Sequence, residues 1–356
     1  MSDIHPSPGW PRRSLPAWVS AALCLLAFSF LEHRLLGLLH QATAQAHLDV
    51  VNGILDGHPY WKAYQNRLLG PWIITGLVHG TGLSPLTAMQ VFGFASLCLA
   101  NAVALRLFAS RDTGGSCGPV WAWGFAAIYA GAFLAFQDAD WLYPWDYLGL
   151  TTMLLFARMV VTGGWPVWQM SALCLVELLN RESAQFIALW MVIDSVRFDR
   201  SAAGWRVVRI DWRRLLAGGL LCVVCVWWTG FIRARLCLGE TGVLPRANIH
   251  EFASGQFYML PVTRDLILHE AANPNAAALL IFLGALATVL WRAWTPLGQR
   301  AWKVGLLIGL LVAANACLAF IYELRVWFTL LPFLPCLAAC ASASRQGSGG
   351  GFDKRA

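Results

Sequence analysis

A chain of 356 residues that is 58% hydrophobic and only 13% charged is too apolar for an ordinary soluble domain, where about 25% of residues are charged. Its net charge of +7 does not point to nucleic acid, because the cations fall in short loops between apolar runs and form no continuous basic face. Most of the ten cysteines (Cys24, Cys98, Cys174, Cys317, Cys336, Cys340) lie inside apolar runs as small hydrophobes, and the CxxC at Cys222 and Cys225, within LLCVVCVWW, reads as helix packing.

Arg12-Arg13 precedes a long apolar stretch with no small-residue cleavage site and mature domain behind it, so the first span is read as retained. Spanning helices, of about 20 apolar residues each, are expected over 15–38, 86–108, 119–136, 147–162, 215–235, 276–294, 304–322 and 326–343. Segment 68–80 is short and holds Pro71, and is read as an interfacial helix. One helix over 165–196 would be about 48 Å long, against a hydrocarbon core of about 30 Å. Its centre carries Asn180-Arg181-Glu182-Ser183, so two short spans, 165–179 and 184–196, hinged at that tetrad in a protein-lined recess, are expected instead. The sum is an all-α polytopic membrane protein of about ten spans with no soluble domain. Residues 1–344 form one transmembrane domain, and 345–356 a flexible cytoplasmic tail.

With both termini in the cytoplasm, alternation puts 17 of the 26 Lys and Arg inside and 9 outside, as the positive-inside rule requires. The loop 197–214 alone supplies six Arg to the inner side. The expected location is a bacterial inner membrane, with membrane lipids as neighbours and no nucleic-acid partner.

Polar residues gather in the outer segments: the loops 39–67, 137–146 and 236–275, the hinge NRES and Glu323-Leu324-Arg325. Asp49 lies in a stretch whose apolar residues suit a short amphipathic helix, where a carboxylate could take the proton from an attacking hydroxyl; the alternative is a solvated loop carboxylate. Asp138, Asp140 and Asp146 flank Tyr143 and its aromatic neighbours, and three carboxylates so close need a cation, a metal or a substrate hydroxyl. Asp146, just before Tyr147, also suits a helix N-cap. The pairs His47/Asp49, His250/Glu251 and His269/Glu270 could bind a divalent cation, but their spacing is no defined metal motif and no metal ligand or cofactor is assigned. Arg181 and Arg325 each adjoin a Glu, with Arg67 on the same face. Their guanidinium forks suit phosphate oxygens, while Glu182–Arg325 or Arg181–Glu323 ion pairs fastening two spans are the structural alternative.

The Asp-bearing loop HLDVVNGILDG leading to NRLLGP, the acidic loop DADWLYPWD and the broken spans resemble the GT-C superfamily of membrane glycosyltransferases. YPWD, LLNRES and YELRVWFTLLP resemble segments of bacterial multispan proteins grouped with that superfamily. Val50 follows Asp49 where the superfamily has a second acid. The resemblance implies an inverting sugar transfer from a polyprenyl-phosphate-type lipid donor to an acceptor outside the cytoplasm. Asp49 would be the base, and Asp140 would orient hydroxyls or help hold a metal. Arg181, Arg325 and Arg67, with Glu182, Glu323, Asp138, Tyr143 and Asp146, would bind donor and acceptor. A transporter or lipid flippase using Glu177, Arg181 and Glu182 as a charged relay, and a non-catalytic subunit of envelope polysaccharide assembly, are the alternatives.

Overall fold

The computed structural model describes residues 17–39, 48, 49, 51, 52, 67–109, 126, 127, 129–132, 143–201, 204–236, 264, 267–269, 273–318 and 324–349. These are mostly helical: α1 (Ala17–Leu39), α2 (Leu69–Thr81), α3 (Pro85–Ala109), α4 (Asp146–Thr162), α5 (Val167–Asn180), α6 (Ala184–Ser195), α7 (Trp212–Leu236), α8 (Pro274–Leu297), α9 (Ala301–Leu318) and α10 (Phe333–Gly349).

Local chemistry sets several boundaries. Gly82, at φ 70°, ends α2 and returns its N–H to the Val78 carbonyl, the left-handed stop that glycine accepts most readily. Ser84 Oγ accepts from the Thr87 N–H and Pro85 opens α3, so donor and ring both fit a helix start. Asn273 caps α8 in the same way, with Pro274 at its first position. At Gly298 (φ 56°) the chain turns back, bringing Trp294 and Leu290 of α8 against Gly305 of α9.

Four stretches among the described residues are long and apolar enough to cross a membrane: Trp18–Leu38, Pro85–Phe108, Trp212–Ile232 and Pro274–Cys317. They are compatible with an integral membrane protein. The expected count of about ten spans is not supported. At 1.5 Å per residue, α4, α5 and α6 reach only about 26, 21 and 18 Å, short of a ~30 Å core. α4 is nonetheless the central strut, with Leu150, Met153, Leu154, Phe156, Ala157 and Val160 buried all round it. A helix apolar on every side belongs inside a bundle.

The expected hinge is present. α5 stops at Asn180, Arg181 is extended (φ −157°, ψ 157°) and α6 begins at Ala184. Cys174 Sγ contacts the Ala184 carbonyl at 3.4 Å, which requires the chain to fold back across the break. The all-α expectation needs correction. Part of the segment read as the loop 197–214 forms an antiparallel hairpin, β1 (Val196–Ser201) and β2 (Gly204–Ile210). Val196, Phe198, Val207 and Ile210 are β-branched or aromatic residues interleaved with Arg, a pattern that suits strands.

Two polar clusters stand at opposite ends of the same helices. α4 begins at Asp146 beside Arg181 and is followed at its end by Gly163 beside Arg300. α6 begins just after Arg181 and carries Asp194, beside Arg214, in its last turn. In a background lacking the native cysteines, Glu182→Cys and Val208→Cys should therefore react with an impermeant thiol reagent from opposite sides of the membrane. Labelling of both from one side would contradict this arrangement.

α6 and α7 pack closely because Gly218 carries no side chain. A Cβ there would sit 2.9 Å from the Met191 Cβ, 2.9 Å from the Val192 nitrogen and 3.0 Å from the Ala188 oxygen. Two of those atoms are backbone, so neither helix can yield cheaply. Gly219 meets nothing within 4 Å. Gly218→Ala should cost about 1–3 kcal/mol of stability through overpacking. Gly219→Ala should be neutral or gain up to about 1 kcal/mol from helix propensity. Thermal unfolding in detergent checks the contrast.

Candidate functional site

At one end of the bundle, four segments far apart in sequence meet. Leu68 N–H donates to the Leu179 carbonyl at 2.9 Å, fastening the entry of α2 to the end of α5. A Cβ on Gly70 would lie 2.7 Å from the Trp145 Cβ, so only glycine lets α2 rest on the turn Tyr143-Pro144-Trp145. That turn closes through the Asp146 N–H to the Tyr143 carbonyl at 2.9 Å. Tyr143 and Trp145 are buried and stack at 4.8 Å, their ring planes 16° apart.

Asp146 is the first residue of α4, where the helix dipole favours a carboxylate. The N-cap expectation is corrected by one position: Trp145 occupies the cap and supplies no side-chain bond. Asp146 Oδ2 accepts instead from the Tyr143 N–H at 3.4 Å. Its Oδ1 accepts from Arg181 Nη2 at 2.5 Å and lies 3.6 Å from Arg67 Nη1. The side chains of Asp146 and Arg181 are 0% and 10% exposed, so this is a buried pair with a second guanidinium close by. Phe328 backs Arg181, whose guanidinium carbon stands 4.2 Å from the ring centroid. Arg67 lies 5.8 Å from the Tyr143 ring. Delocalised guanidinium planes tolerate such aromatic surroundings better than an ammonium would.

Glu177 was expected only as part of a transport relay. It is wholly buried and accepts from Thr152 Oγ1 at 2.5 Å, Ser183 Oγ at 2.5 Å and Asn180 Nδ2 at 3.3 Å. Those donors come from α4, from the break and from α5 itself, so Glu177 fastens the hinge. The Glu177/Asn180 spacing of three, which puts both on one helix face, was the available signal.

The sequence-predicted residues divide accordingly. Arg67, Tyr143, Asp146 and Arg181 come together. Arg181 pairs with Asp146. Glu182 sits half-buried in the turn beside Arg181. Asp49 is exposed in a short helical piece, and Val51 two residues on is buried in the same apolar cluster as Leu68, Tyr143, Trp145 and Ile232. Asp138, Asp140 and Glu323 lie outside the described residues. Arg325 falls in a 3-10 turn over Leu324–Thr329, and its side chain is outside them too. No group of three His, Cys, Asp or Glu suited to a metal ion occurs among the described residues.

Comparison with family models, curated proteins and solved structures finds no match for this chain.

Removing one member of a buried pair strands the other, so Asp146→Asn should lower stability by about 3–5 kcal/mol. In double-mutant cycles read by thermal unfolding, the Asp146/Arg181 coupling should fall at about 1–3 kcal/mol and exceed the Asp146/Arg67 coupling. Equal couplings would contradict the 2.5 and 3.6 Å geometry.

Proposed function

We propose that the chain is a GT-C-like membrane glycosyltransferase. It would take a sugar from a polyprenyl-phosphate-type lipid donor and pass it to an acceptor hydroxyl on the non-cytoplasmic face of a bacterial inner membrane. The observation that carries this reading is the convergence of Arg67, Tyr143, Asp146, Arg181 and Phe328 from four separate segments, with the Asp49 helical piece anchored through Val51 in the adjoining apolar cluster. Two guanidiniums share one carboxylate there, while Glu177 turns its oxygens to neutral donors. Guanidinium groups gathered in this way suit a phosphate, whose oxygens take such donors bidentately.

In this reading the acceptor oxygen attacks the anomeric carbon as the bond from that carbon to the phosphate oxygen breaks. Asp49 takes the hydroxyl proton, and the lipid phosphate leaves with its charge against Arg67 and Arg181. Asp138 and Asp140 would orient sugar or acceptor hydroxyls, and Arg325 with Glu182 and Glu323 would complete the rim. A single displacement inverts the anomeric centre. About ten spans, both termini in the cytoplasm, belong to the same proposal, supported by the 17-to-9 split of cations.

The role of Arg181 divides in two: it holds Asp146 and thus the fold, and it faces the phosphate. Arg67, farther from Asp146, is the cleaner probe. A polyprenyl-phosphate sugar at a hundredfold excess over its Kd should stabilise the detergent-solubilised protein by roughly 2.7 kcal/mol. Arg67→Lys, which keeps charge but loses the fork, should weaken that response with little loss of ligand-free stability. Asp49→Asn should keep the response and abolish transfer to acceptor, followed with a labelled donor. A folded sample that responds to no lipid phosphate would sink the phosphate site and favour the transport reading, for which the helix break at Arg181 is the supporting feature.

A further inference from the structure

At the opposite end of the bundle, Asp194 lies in the last turn of α6 and gathers three cations. Arg214 Nη1 pairs with Asp194 Oδ2, Arg300 Nη2 lies 3.4 Å from both carboxylate oxygens, and Lys303 Nζ lies 3.6 Å from Oδ1. Asp211 is a second carboxylate there, 3.4 Å from Arg214 Nε. The surrounding sequence remains strongly basic. From Asp194 to Arg214 the chain holds six Arg against three Asp, and Arg300 and Lys303 add two more cations.

Two features of this end go beyond a structural ion-pair network. Arg197 and Arg209 are directly opposite one another in the β1–β2 ladder, and both are exposed. Like charges facing across a two-stranded ladder repel, and an anion between them relieves the repulsion. The second feature is a cleft with a split lining. Arg214, Arg300 and Asp194 form its polar side, and Met159, Met170 and Trp190 belong to its apolar wall. Gly163 admits the cation: a Cβ on it would fall 1.7 Å from Arg300 Nη1, so any side chain there would displace the guanidinium.

The cleft is only about 20 Å³, room for about one water-sized group. A soluble metabolite is normally enclosed by several hundred Å³. The site therefore fits a ligand that offers one or two oxygens and is held mainly by something else. Exposed indoles give the setting. Trp168 lies in the first turn of α5 and Trp212 opens α7, and they are 68% and 61% exposed. Bare indole rings at one end of an apolar bundle mark the headgroup level of a bilayer.

We propose that this end binds the headgroup of an anionic phospholipid. A phosphate oxygen would enter the cleft at Arg300 and Arg214, the rest of the charge would face Arg197 and Arg209, and the acyl chains would remain in the leaflet beside Trp168 and Trp212. The site is separate from the one proposed for transfer and is formed by the opposite helix ends.

The test uses the full chain in neutral detergent, with thermal unfolding read against added phosphatidylglycerol, phosphatidylcholine or glycerol 3-phosphate. Phosphatidylglycerol alone should raise the unfolding temperature, and native mass spectrometry should retain it as an adduct. Arg209→Gln lies on an exposed strand position, so lipid-free stability should hold while the apparent affinity for phosphatidylglycerol falls about fivefold, the loss of one cation near an anionic surface. Arg300→Gln should weaken it further, and if that variant does not fold, Arg209→Gln decides the matter. Equal responses to the two phospholipids, or a full phosphatidylglycerol response in Arg209→Gln, would overturn the proposal. An equal response to glycerol 3-phosphate would overturn its lipid component. Arg67→Lys, at the other end, should leave the phosphatidylglycerol response intact, so the two sites can fail independently.

Discussion

A helix that stops inside an apolar bundle leaves carbonyl and N–H groups with no water to take them. The break between α5 and α6 is the place where this chain meets that constraint, and the surrounding polar residues follow from it. The Arg181 N–H turns back to the Glu177 carbonyl, and the Glu177 side chain ties Asn180 and Ser183 to Thr152 of α4. Arg181 cannot be buried as a lone cation, so it needs an anion within reach. Asp146 supplies one from the start of α4, where the helix dipole already favours negative charge. Hinge, ion pair and first turn of α4 are therefore one structure, and disturbing any of them disturbs the others.

That structure also explains where the remaining motifs lie. With Asp146 fixed, the Tyr143–Trp145 stack is fixed, and Trp145 gives α2 the surface on which Gly70 rests. α2 carries Arg67 at its entry, so the second guanidinium arrives beside the first through backbone packing. Phe328 closes the far side of Arg181. The site draws on short helices and tight turns, whereas the long apolar helices α1 and α3 carry few of its polar groups.

The sequence was most legible where polar residues interrupted apolar runs. NRES, YPWD and NRLLGP stand out because lipid tolerates such clusters only when protein surrounds them, and all three belong to the observed cluster. The partner of Arg181 was not legible. The pairing with Asp146 depends on α4 packing against α5, which a one-dimensional pattern does not encode. Glu177 was hidden differently, since a single carboxylate in LVELLN looks the same whether it relays charge or satisfies a hinge. The hairpin was overlooked because its charge was weighed before its alternation. Length alone does not fix the span count, because α5 and α6 are apolar enough for a bundle interior yet shorter than a bilayer.

The same helices connect two ends of different character. Around Arg181 the cations are few and buried against aromatic rings, so each is costly to place and holds a defined geometry. Around Asp194 they are many and include exposed ones, so each contributes little alone and the collective field dominates. α4 joins these regimes in 17 residues, from Asp146 to Thr162, with a core that admits no rearrangement along its length without loss of packing. A rigid strut between the two ends fixes the depth of the Arg67–Asp146–Arg181 cluster relative to the basic end. Anchoring that basic end at a headgroup layer would thereby set how far into the bilayer the opposite cluster reaches, and so the depth at which the proposed lipid-borne phosphate would meet it.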